Sequence, residues 1–168
     1  MITCEDILNL KLDGMHLIAG EKGLYRMVSW TYMVQTRPYA DHMNRGNFAL
    51  IVVDYVRFDF KEVAVTLEEL NELGISGLAI SVVDDREEVP ESVRRRADEL
   101  ELPLFYVRWE GASFVDIAQS IGSLIVQTGV QNKKTGDYLY NLLFGYQIND
   151  KREGQTMRAA DSWKDYEL

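Results

Sequence analysis

The sequence predicts an α/β fold: a largely parallel central sheet with helical crossovers on its faces, followed by a C-terminal helical extension. Three short apolar runs, Phe48 to Val53, Leu78 to Val83 and Leu104 to Val107, read as buried strands. Between the first two, Phe60, Val63, Ala64, Leu67 and Leu70 recur at helical spacing, and between the second and third Val93, Ala97 and Leu100 do the same. Apolar runs this short, without polar alternation, suit strands covered on both faces. A helix between two such strands brings the chain back in the same direction with right-handed topology, so the three strands are expected to lie parallel.

The remaining elements follow in chain order. Thr3 with Asp6 three residues on is a capping arrangement and predicts a short helix from Glu5 to Leu10, ended by a turn at Asp13-Gly14. Gly20 and Gly23, just after Leu17-Ile18, mark a turn whose backbone needs positive φ or close approach. From Val28 to Gln35 the apolar Val28, Trp30, Tyr32 and Val34 alternate with Ser29, Thr31 and Gln35, broken only at Met33, predicting one strand with one buried face. A short helix is expected over Ala40 to Arg45, stopped by Gly46. Gly74 lies where the helix that begins near Phe60 ends, and Pro90 opens the next one.

Ser113 and Asp116 mark the start of a last helix, lined by Phe114, Ile117, Ala118, Ile121, Leu124 and Ile125. Past Gln127 comes a polar break at Gln131 to Lys134, then the segment 137–146, apolar almost all round. A segment with so little polar face must bury itself against the domain, a second copy or a downstream part of the protein. Tyr138, Leu139, Leu142, Leu143 and Phe144 are therefore expected at an oligomer interface. The expected division is a domain over 1–127 and a helical extension and polar tail over 128–168, leading toward a part of the protein beyond Leu168.

At 168 residues, 46% hydrophobic and 27% charged, the chain falls in the ordinary globular class. With 27 acidic against 18 basic residues and a net charge of -9, it is repelled on average by a phosphate backbone. Arg94-Arg95-Arg96 is the basic exception, but Glu91, Asp98 and Glu99 share its helix. Spacing of i to i+4 pairs Glu91 with Arg95, Arg94 with Asp98 and Arg95 with Glu99, the pattern of a solvated face. The lone Cys4 forms no internal disulfide, and neither a signal peptide nor a run long enough to span a membrane is read. A cytoplasmic protein away from membranes, with Cys4 in its core, is expected.

No catalytic constellation assembles from these residues. His16 and His42 sit in different elements without partners at ligand spacing, so no metal and no cofactor are expected and both histidines are read as ordinary surface or core residues. Gly20 and Gly23 lack the third glycine of a dinucleotide fingerprint and the Lys-Ser/Thr ending of a phosphate loop; the turn is read as structural, with Glu21 and Arg26 pairing across it or contacting a small ligand. Asp84-Asp85 with Glu87-Glu88 lacks the interleaved spacers of a cation loop and reads as a solvated acidic loop. Ligands of open α/β sheets favour the carboxyl ends of the strands. That rule points to Asp54-Tyr55, Asp84-Asp85 and Arg108-Trp109, and Asp54, Tyr55, Asp84 and Trp109 join Glu21 and Arg26 as candidate ligand contacts.

One ordered series is more specific than its parts: Ala19-Gly20-Glu21-Lys22-Gly23-Leu24 with Arg26 and Val28, then Trp30, Pro38, Gly46, Gly77-Leu78-Ala79-Ile80, Val89-Pro90, Ala97-Asp98 and Leu102-Pro103-Leu104. Over about Thr3 to Ile125 it resembles the N-terminal domain of PucR-type bacterial transcription regulators, named for a regulator of purine catabolism. The resemblance implies a non-catalytic regulatory domain that senses a small effector, purine-related or another metabolite, or transmits a signal between subunits of a homo-oligomer. It also implies DNA binding through a C-terminal helix-turn-helix, which these residues do not contain. Resembling domains commonly carry a strand ending in Thr-Thr-Gly where this chain has Ile51-Val52-Val53, so any effector contact made by those threonines is not carried over. The alternative is an oligomerisation scaffold with no small-molecule ligand. A fainter resemblance, to the N-terminal domain of HPr kinase/phosphatase, concerns a non-catalytic domain of that family and implies shared fold alone.

Overall fold

The computed structural model describes residues 1–84, 86–110 and 113–134. Residues Met1–Thr128 form one compact unit, and the packing below lies within it. Thr3 caps the first helix, α1 (Cys4–Asn9): its hydroxyl accepts from the Asp6 N–H, and the Asp6 carboxylate accepts from the Thr3 N–H at 2.7 Å. The three apolar runs become β5 (Asn47–Val53), β6 (Gly77–Val82) and β7 (Leu104–Arg108), joined by α2 (Phe60–Glu72) and α3 (Glu91–Glu99). They pair in parallel, as the crossovers require.

Two strands widen this core to a five-stranded sheet in the order β2-β7-β6-β5-β4. β4 (Trp30–Met33) adds in parallel to β5, and β2 (Met15–Ala19) adds antiparallel to β7. The single strand expected from Val28 to Gln35 is two. β3 (Met27–Val28) pairs antiparallel with β1 (Ile2–Thr3) in a separate small sheet, and the Ser29 N–H then donates to the Gly46 carbonyl at 2.8 Å as the chain turns into β4. Because β4 is an edge strand, Trp30 is 52% exposed instead of buried. The helix expected over Ala40 to Arg45 is a single 3-10 turn, Tyr39–Asp41, tied to α2 by a hydrogen bond between the hydroxyls of Tyr39 and Thr66 at 3.2 Å. So short a segment does not recover the cost of nucleating an α-helix.

The sheet separates two apolar layers. On one face Ile51, Val53, Leu78, Ile80 and Leu104 meet Val63, Leu67 and Leu70 of α2 and Val93 and Ala97 of α3. On the other Phe48, Leu50, Ala79, Phe105 and Val107 meet Ile7 of α1 and Phe114, Ile117 and Ile121 of a last helix, α4, over residues 114–134. Alternation along each strand explains the split, since successive side chains point to opposite faces. Each fully buried Leu, Ile or Phe contributes about 1.5–3 kcal/mol. α4 continues through 131–134, so the polar stretch there does not break the helix. The segment 137–146 with its expected interface residues lies outside the described residues.

Candidate functional site

The glycine turn lies at the amino end of the parallel strands and is committed to structure. Gly20 has φ +74, its N–H donates to an Asp98 carboxylate oxygen at 2.6 Å, and a Cβ there would stand 2.0 Å from the Leu102 carbonyl oxygen. Gly23 packs as tightly, with an added Cβ falling 1.9 Å from the Glu101 carbonyl oxygen. Arg26 does not pair with Glu21. Its guanidinium donates to the Ile75 carbonyl at 3.0 Å, the Asn71 side-chain oxygen at 3.0 Å and the Leu100 carbonyl at 2.9 Å. Asn71 lies in the last turn of α2 and Leu100 caps the C-terminus of α3, so one cation meets the negative ends of two helix dipoles. Glu21 stays exposed in a 3-10 turn, Glu21–Gly23.

Cys4 is buried against this region, its Sγ donating to the Ser76 carbonyl at 3.2 Å. Burial pushes its thiol up to about 12 despite the nearby Arg26 charge, so it is held as the unreactive thiol. A hollow of about 550 Å³ opens here among Arg26, Arg45, Asn71 and Ser76. Three of these four are already engaged: Arg26 and Asn71 with each other, and Ser76 Oγ with the Asn47 carbonyl at 2.9 Å.

At the carboxyl end Asp54 and Asp84 also serve their own loops. One Asp54 oxygen accepts from the N–H groups of Arg57, Val56 and Phe58, which hold its carboxyl down to about 2. Asp84 accepts from the Arg86 N–H and guanidinium, and Arg86 holds its carboxyl below the ordinary range. Tyr55, at φ +60, stacks edge-on against Phe60 and donates its hydroxyl to Glu87, joining the loop after β5 to the loop after β6. Partial burial first, and then the Glu87 bond, raise its hydroxyl to about 12. Trp109 is 47% exposed, one residue beyond β7. Asp85 lies outside the described residues.

These six residues do not converge on one cavity. A groove of about 400 Å³ forms instead beside the carboxyl end of β7, lined by His16, Ile18, Glu87, Glu88, Val89, Arg94, Tyr106 and Arg108. His16 stands opposite Tyr106 across the antiparallel β2–β7 pair, their rings 5.4 Å apart. Arg108 follows two residues after Tyr106, so strand alternation turns both to one face, and Ile18, at the irregularity of β2 between Leu17 and Ala19, lines the same groove. Val89 is buried, and Arg94 belongs to the first turns of α3.

Arg94 is where the expected charge pattern fails. Glu91 pairs with Arg95 as its spacing requires, but Asp98 is diverted to the Gly20 N–H, and Glu99 and Glu68 take Arg96. Arg37, Arg57 and Arg86 also have carboxylate partners. Among the described residues, Arg94 and Arg108 have none, although Glu87 and Glu88 line the same groove. Charges of both signs thus face one cavity without closing on each other.

The local signal for this groove, His16 and Ile18 alternating on a five-residue strand, is too short to mark a site without the partners that β7 and α3 bring. Among the described residues no group of three or more His, Cys, Asp or Glu side chains is placed to hold a metal ion, and no helix is long and apolar enough to cross a membrane.

The ordered series from the glycine turn to Leu104 is matched as a whole: residues 6–125 fit the purine catabolism regulatory protein-like family. The chain belongs to that family. The α/β sheet described above is therefore that of a member of this family. No curated protein sequence matches the chain. Among solved structures it is similar to the CBS and DRTGG domains of the regulatory region of Clostridium perfringens pyrophosphatase, complexed with the activator diadenosine tetraphosphate, at 12% identity and a TM-score of 0.41. That match covers 62% of this chain and 39% of the other.

Proposed function

We propose that residues 1–127 of this PucR-like protein are a non-catalytic sensor of a small metabolite, with the groove between β2, β7 and α3 as its effector site. The groove carries this reading: it offers charges of both signs, an aromatic pair and a buried apolar floor, in a volume within the range of small-molecule sites. Tyr106 and Arg108 lie on β7, the strand that precedes α4, so an occupant touches the element leading toward the extension over 128–168. Signalling is then a shift between two arrangements of the domain or its homo-oligomer, driven by the ligand's differential affinity for them. The acidic domain leaves DNA to a helix-turn-helix elsewhere in a cytoplasmic regulator.

A thermal-shift screen of the chain with purines, their ureide breakdown products and amino acids tests this. A ligand at one hundred times its dissociation constant contributes about 2.7 kcal/mol. At least one compound is expected to stabilise the protein, and His16→Trp, which fills the groove from an exposed position, is expected to abolish the effect. Stabilisation that survives His16→Trp removes the groove from the proposal. A chain that binds nothing and still self-associates is a scaffold.

A further inference from the structure

The arrangement of charges narrows the effector class, an inference that rests on the groove being the effector site. We propose that the groove takes a small amphoteric anion: a carboxylate gripped by Arg94 and Arg108, joined to N–H donors that face Glu88. Three observations carry this. First, six described arginines have their guanidinium groups engaged elsewhere: Arg26 with carbonyls, and Arg37, Arg57, Arg86, Arg95 and Arg96 with carboxylates. Arg94 and Arg108, both lining the groove, have neither a carboxylate nor a carbonyl partner for their guanidinium groups among the described residues. Guanidinium groups match carboxylate geometry through two parallel N–H bonds, and two of them outweigh one remaining free carboxylate.

Second, the two glutamates of the wall are not equivalent. Glu87 receives the Tyr55 hydroxyl, whose ring stacks edge-on against Phe60, so this carboxylate already has a partner. Glu88 has no hydrogen-bond or ion-pair partner among the described residues and is left to accept from a ligand. Third, Arg94 and Glu88 lie six residues apart on either side of the Pro90 cap, yet make no ion pair within 4.0 Å. The volume of about 400 Å³ between such walls fits a metabolite. A plain dicarboxylate would place its second charge against Glu88, and a cation would meet the two arginines, so both are selected against.

The test is isothermal titration of the whole chain with four probe classes: α-amino and ureido acids, plain mono- and dicarboxylates, inorganic phosphate, and neutral amides. Amphoteric acids are expected to bind most tightly. Arg94→Ala and Arg108→Ala are each expected to weaken them by about tenfold to a hundredfold, the worth of a charged hydrogen bond. Glu88→Gln is expected to weaken amphoteric acids while leaving or improving plain carboxylates, a reversal that mere loss of fold cannot produce. All three residues are exposed, and unchanged circular dichroism checks that the variants fold. Tight binding of neutral amides or phosphate that is lost in His16→Trp but indifferent to both arginine variants overturns the ligand class and leaves the groove as the site. Absence of binding by every class overturns both.

Discussion

The two ends of the sheet use arginine in opposite ways. At the amino end Arg26 is spent entirely on protein acceptors, tying together the last turn of α2, Ile75 just before β6 and the cap of α3. Beside the carboxyl end of β7, Arg94 and Arg108 face a cavity with no carboxylate partner among the described residues. The amino end carries the sequence's most conspicuous motif, the glycine pair with its flanking charges, whereas the groove gathers residues from separate segments that no single motif joins. Conspicuous glycines reported a backbone demand, and a side chain with no structural duty is the one left for a ligand.

The largest effect that sharpens this contrast is expected from Gly20→Ala or Gly23→Ala. A Cβ at either place meets a main-chain carbonyl at 2.0 or 1.9 Å, which no rotamer change relieves, and at Gly20 the positive φ adds strain. Each is expected to cost about 4 kcal/mol or more in urea denaturation, at the upper end of single-site effects. Either variant folding with wild-type stability would show that the turn is not committed to structure. Next comes Arg26→Met, which keeps the aliphatic stem but strips three acceptors of their donor; a loss of about 2–3 kcal/mol is expected in the same measurement. A near-neutral result would free Arg26 to act as a ligand contact and erase the difference between the two ends.

The smallest effect is at Asp54, in a carboxyl-end loop. Its carboxyl is held down to about 2 in the folded state, against an ordinary value of 3.8, by three backbone N–H groups. An acid whose folded value is depressed contributes stability above its unfolded value, and that contribution is lost as pH falls through the folded one. Between about pH 4 and 2, Asp54→Asn is therefore expected to lose less stability than the parent chain. Urea midpoints measured across that window read the difference, and parallel acid limbs would mean that the loop does not depend on the charge.

How much of this was legible depended on which interactions are local. The Thr3 cap, the three apolar strands and the helices between them each rest on neighbours within a few residues, and right-handed crossovers then leave little choice of pairing. Asp54 and Asp84 were correctly placed after the strands, but that they serve their own loops depends on the turns they cap. The Arg94–Asp98 pair failed because Asp98 found a stronger obligation at Gly20, distant in sequence and adjacent in space.

By itself the sequence determined an acidic α/β domain of the PucR-like kind, because strand and helix periodicities and the order of its glycines and prolines are written along the chain. Tertiary structure alone decided that β2 runs antiparallel beside β7, that Val28 and Trp30 belong to different sheets, and which arginines have no carboxylate partner among the described residues. Local spacing offers each charge several neighbours, and only the folded chain fixes which of them comes within hydrogen-bonding distance.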